Sequence, residues 1–121
     1  MTRSDTWLHH RRTKDAALFA QTRRVLVDNY DKPESLSAFG WPEITDFNWA
    51  LHWFDLHALD NHTAALVGAN LSGATLEISY EALSRASDGV AVRLREAGVR
   101  PGDRLVIDFP SCCELWALLL G

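Results

Sequence analysis

Few side chains in this chain are both chemically capable and usefully spaced. The five histidines are His9, His10, His52, His57 and His62. Two metal ligands on one helical face need i, i+4 spacing. His52 and His57 are five apart, which turns them roughly 140° from each other at about 3.6 residues per turn. Cys112 and Cys113 are adjacent, so they lack the two-residue spacer of a zinc knuckle or a redox pair. A disulfide between neighbours closes a small strained ring. The pair therefore reads as free thiols in a reducing compartment, packed as small residues in a helix. Ser84 and Ser111 have no Gly-x-Ser-x-Gly elbow around them. The seven glycines are scattered, and no Gly-Lys-Ser/Thr phosphate loop occurs. Asp108 interrupts an apolar run. On a strand, Leu105, Ile107 and Phe109 would share one face, and Val106 and Asp108 the other. A buried carboxylate requires partners. Asp108 would then either cap a neighbouring element or lie at the carboxyl end of its strand, where α/β proteins bind ligands. The sequence assigns no catalytic, cofactor-binding or metal-binding residue.

The elements that would position these residues are legible from periodicity. Residues 79–110, SYEALSRASDGVAVRLREAGVRPGDRLVIDFP, read as a helix, a tight turn and a buried strand. Leu83, Ala86, Val90, Leu94 and Ala97 recur at helical spacing. Ser79 is placed to cap the first turn, with Glu81 near the positive helix end, although Ala82 stands where a capping box needs Glu or Gln. Gly98 closes the helix, with Val99 ready for a Schellman contact. Pro101 forbids continuation, Gly102 and Asp103 turn the chain, and 105–107 form a strand that Pro110 ends. Upstream, 16–27 reads as a helix capped by Asp15. Residues 30–41 read as a loop whose aromatics pack down. FNWALHWFDLHAL, 47–59, reads as a helix capped by Thr45 or Asp46. It is apolar nearly all round, which normally means burial on both sides. Residues 64–69 and 75–79 read as a hairpin. Ser111 is placed to cap a last helix, 112–120.

Composition sets the class. The chain has 121 residues, 47% of them apolar, which is enough for one domain or part of one and argues against disorder. The net charge is −4 and the basic residues are dispersed after the first third, which excludes a nucleic-acid surface. No apolar run approaches the ~18–20 residues of a membrane span. The start, MTRSDTWLHHRRTK, lacks the apolar stretch of a secretory signal, and Asp5 argues against a mitochondrial presequence. Residues 1–14 are expected to be a flexible basic N-terminus. A chain that stops at Leu118, Leu119, Leu120 and Gly121 is expected to continue, because a natural terminus is rarely a run of leucines.

Three stretches in order resemble the N-terminal part of the AMP-forming acyl-CoA synthetases, the adenylate-forming ligases. These are 79–110 with its Gly98-Val99-Arg100-Pro101-Gly102-Asp103-Arg104 turn, 41–58 (WPEITDFNWALHWFDLHA), and FPSCCELWALLLG through Pro110, Glu114 and Trp116. The resemblance as a whole covers about 16–121. The Phe47-Asn48-x-Ala50 helix is similar to the medium-chain branch of the family. Asp108 and Cys112-Cys113 depart from the family pattern.

The resemblance implies an α/β fold: outer helices, a β-hairpin and one strand of a larger sheet, with 15–121 as an incomplete AMP-binding domain. It implies a cytoplasmic parent enzyme of fatty acid metabolism that uses ATP, Mg and coenzyme A. That parent would activate a medium-chain fatty or aromatic acid to an acyl-adenylate and pass it to CoA. The family's Ser/Thr/Gly-rich loop with Pro-Lys, its ribose-binding Asp and its C-terminal lysine have no counterpart here, so the chain alone is expected to be inactive. Its expected partners are the remainder of the parent enzyme, or other copies of itself through uncovered apolar surface. The alternative reading is a stand-alone binding module derived from such an enzyme.

Overall fold

The structure is a computed structural model that describes residues 13–121. The expected flexible N-terminus therefore lies, up to residue 12, outside the described residues. The chain is mixed α/β, with four α-helices and one two-stranded antiparallel sheet among the described residues. It divides after Leu56 into two compact units.

The first unit is built on helix α1, Lys14–Asp28. Its cap is Thr13, whose hydroxyl accepts the Ala16 N–H at 3.0 Å, and not Asp15. Thr13 has the extended backbone of a cap, whereas Asp15 already lies in the first helical turn, where its carboxylate is free to reach outward. A 3₁₀ turn, Pro33–Leu36, interrupts the loop that follows.

The expected helix over 47–59 begins two residues late and opens with a wide turn. Ala50–Phe54 forms a π-helix in which the Asp55 N–H reaches the Ala50 carbonyl, and the single α-helical turn α2, Asp55–Ala58, continues it. The late start has a cause. Asn48 Oδ1 accepts the Leu51 N–H at 3.0 Å, and His52 Nδ1 accepts the Asn48 N–H at 2.9 Å. This is the reciprocal logic of a capping box, with histidine reaching back in place of glutamate. Thr45 and Asp46 are thus not caps. Aromatic packing closes the unit: Phe19 stacks on Phe47 at 4.6 Å and meets Trp53 edge-on at 5.4 Å, and the Arg23 guanidinium lies 5.2 Å over Trp53.

The second unit carries the hairpin, β1 (Ala64–Ala69) and β2 (Thr75–Ser79), with the bounds that the turn residues predict. Asn70 builds the turn: its side-chain oxygen accepts the Ser72 and Ala74 N–H groups, both at 3.0 Å. Gly73 takes φ +83°. The register pairs Ala64 with Ser79 and Leu66 with Ile78, which leaves Ala65 as a bulge. Ser79 ends β2 and caps α3, Tyr80–Glu96, by accepting the Ala82 N–H at 3.2 Å. Gly98 stands at φ +90°. The Val99 N–H reaches the Leu94 carbonyl and the Gly98 N–H the Arg95 carbonyl, each at 3.0 Å, which completes the Schellman motif. Helix α4, Cys113–Leu120, packs on α3. Cys112 occupies its cap position, in place of the expected Ser111, and makes no side-chain capping bond to the helix's first N–H groups.

One expectation fails in this unit. Residues 105–107 form no paired strand, and 103–110 lie outside the sheet and exposed. Val106 is 95% exposed. A strand needs a neighbour to satisfy its N–H and C=O groups, and the two-stranded hairpin does not supply one here. The cores of both units are thin, in keeping with the expected uncovered apolar surface. The buried apolar residues described are Ala16, Phe54, Ala58, Leu83 and Ala117. The apolar content is shared between two small units, each with more surface than its volume can bury.

Candidate functional site

The side chains singled out for chemistry occur in several places. His52 is spent on the Asn48 N–H. His62 Nδ1 lies 3.0 Å from Glu81, which also pairs with Arg85 at 3.3 Å on the exposed side of α3. His9 and His10 lie outside the described residues. Asp108 is exposed rather than buried. It therefore neither caps an element nor sits at the mouth of a sheet, because the run that carries it is not in a sheet. Among the described residues, no group of three or more His, Cys, Asp or Glu side chains could hold a metal ion.

The constellation that does form lies where α4 begins beside the hairpin. Cys112 and Cys113 are both free thiols and half-buried. They share a depression of about 150 Å³ with Leu66, Val67, Gly68, Ser111 and Trp116. Cys113 also borders a second depression, of about 230 Å³, along the hairpin. Gly68 leaves this space open: a Cβ there would stand 3.6 Å from the Cys113 sulfur. The Cys112 thiol donates to the Glu114 carboxylate. That bond, and then the residue's own N–H, holds Glu114 below the usual carboxylate range. Cys112-Cys113 was legible as a free pair. The roles of Gly68 and Trp116 were not, because the bulged hairpin that brings Gly68 opposite α4 leaves no local signature.

A second polar cluster lies in the first unit and is structural. Asp15 Oδ2 accepts the Asp46 N–H at 2.8 Å and the Thr45 N–H at 2.9 Å. These bonds, the Asp46 one first, lower the Asp15 pKa from its ordinary value of 3.8. The clamp ties the start of α1 to the approach to the π-helix.

Part of the chain is similar in sequence to part of a CoA ligase. The particular relative is a 2-hydroxy-7-methoxy-5-methyl-1-naphthoate–CoA ligase of Streptomyces carzinostaticus. The two are 33% identical over an alignment of 81 residues, which covers 61% of this chain and 14% of that ligase. The chain thus spans about a seventh of the length of this relative. No family model matches the chain, and no solved structure matches it.

Proposed function

We propose that this chain is the N-terminal part of an AMP-forming CoA ligase that activates a carboxylic acid. In that reaction the carboxylate displaces pyrophosphate from ATP to give an acyl-adenylate, and the thiol of coenzyme A then displaces AMP. The observation that carries the reading is the 33% identity over 81 residues to a ligase of this kind. The exposed run at 103–110 supports it. Leu105, Val106, Ile107 and Phe109 are all exposed large apolar residues, as a strand would be when its sheet is built mainly from other parts of a longer chain. The relative acts on a naphthoate, which favours an aromatic over a medium-chain aliphatic acid.

The sequence carries no Gly-Lys-Ser/Thr loop and no Ser/Thr/Gly-rich loop followed by Pro-Lys. On this reading no step of the reaction is assigned to these residues, and the stretch contributes scaffold.

The test has two arms. Sequencing the transcript beyond the codon for Gly121 is expected to show an in-frame continuation containing a Ser/Thr/Gly-rich loop followed by Pro-Lys. The full-length product is expected to exchange labelled pyrophosphate into ATP when given aromatic carboxylates, and the 121-residue chain is expected not to. A stop codon at that point with a monodisperse product, or a full-length protein without exchange, would overturn the proposal in favour of a stand-alone binding module.

A further inference from the structure

We propose that Cys112 and Cys113 form a dithiol site for a monosubstituted arsenic(III) compound, an aryl arsenoxide, seated between the start of α4 and the hairpin. The proposal is independent of the ligase reading and rests on three features of the second unit.

The first is the pair itself. Both thiols are free and half-buried, and both line one depression of about 150 Å³. The second is the count of available ligands. Zinc in a structural site takes four protein ligands, whereas no group of even three His, Cys, Asp or Glu side chains among the described residues is arranged to hold a metal ion. Two adjacent thiols suit a thiophilic centre that has two valences to fill and brings its own third substituent. The third feature is the wall. Trp116 lies three and four residues after the two cysteines, on the neighbouring face of α4, and borders the same depression. It gives an aryl substituent an aromatic surface to lie against. Gly68 opposite keeps the space beside Cys113 open.

The step balances. Two S–As bonds form and the As=O bond breaks. The oxygen leaves as water, taking both thiol protons. Arsenic stays trivalent and neither sulfur is oxidised, so no co-reactant is needed.

The experiment uses the full chain and phenylarsine oxide, read by intact mass. The expected result is a stoichiometric gain of one phenylarsenic group less two hydrogens. A dithiol competitor reverses it, and an excess of a monothiol does not. Each of Cys112→Ser and Cys113→Ser is expected to weaken binding on the order of 10²–10⁴-fold, the effective-concentration advantage of joining two ligands. Trp116→Ala is expected to weaken the phenyl but not the methyl arsenoxide. No mass gain on the native chain, or reversal by a monothiol at the same concentration as by a dithiol, overturns the proposal without reference to any variant. A single-cysteine variant that folds, by circular dichroism, and binds as tightly as the native chain also overturns it. Equal effects of Trp116→Ala on both arsenoxides overturn the aryl seat.

Discussion

Gly89 and Gly98 both lie in the α3 region, with nothing within 4 Å of a Cβ added to either. Substituting each by alanine should nevertheless change stability with opposite signs. Gly98 stands at φ +90°, where a Cβ crowds the backbone, at a cost of about 1–2 kcal/mol. Any L side chain there also restricts the unfolded chain, which returns roughly 0.4–1 kcal/mol. The net loss for Gly98→Ala is therefore about 0.5–1 kcal/mol. It is larger for Gly98→Val, on the order of 1–2 kcal/mol or more, because a β-branched residue resists positive φ further. Gly89 is inside the helix, and Gly89→Ala should gain roughly 0.5–1 kcal/mol through helix propensity and unfolded-state entropy. For a domain of about 60–100 residues, 1 kcal/mol moves the melting midpoint by roughly 4–8 °C. Thermal and urea unfolding followed at 222 nm would resolve shifts of this size. Because neither site touches a neighbour, packing cannot account for a difference. Equal shifts of one sign for the two alanine variants would refute the assignment of Gly98 as the left-handed residue of a Schellman cap.

Other outcomes follow from the same geometry. Ser79→Ala removes the hydroxyl that accepts the Ala82 N–H and should cost about 1 kcal/mol in urea unfolding; an unchanged midpoint would mean that the strand end alone sets the start of α3. Asp15 has a folded pKa below its ordinary 3.8. Its contribution to stability is therefore present above that value and is lost as pH falls through the folded pKa. Asp15→Ala should flatten the acid limb of stability against pH, and parallel curves for the two proteins would refute the clamp. Val106→Lys, at a site 95% exposed, should reduce hydrophobic-dye binding and self-association in light scattering while leaving stability within about 0.5 kcal/mol; a larger loss would mean that Val106 is packed.

Local signals were the ones that carried through from sequence to structure. The hairpin, the Ser79 cap and the Gly98 stop each depend on a few consecutive residues, and each forms where turn and cap chemistry places it. What failed depends on distant chain. The run 105–107 has the composition of a strand, but pairing needs a neighbour that composition does not specify. Asp108 was read as buried for the same reason. The late start at 49 comes with His52 reaching back to Asn48, an arrangement that no standard capping pattern contains. Of the candidate site, the paired thiols were visible, and their opposing wall at Gly68 was not.

The exposed run 103–110 has a consequence for solubility. Leu105, Val106, Ile107 and Phe109 together have the β-propensity and low charge that favour intermolecular stacking into fibrils. Arg104 precedes them, Asp108 divides them and Pro110 closes them. Charges and proline at such positions act as gatekeepers, since stacked copies would bring like charges into register and proline has no N–H for the next strand. The carboxylate of Asp108, out of place for a ligand or a cap, is well placed for this role: it keeps an apolar segment from templating its own kind while the segment is uncovered.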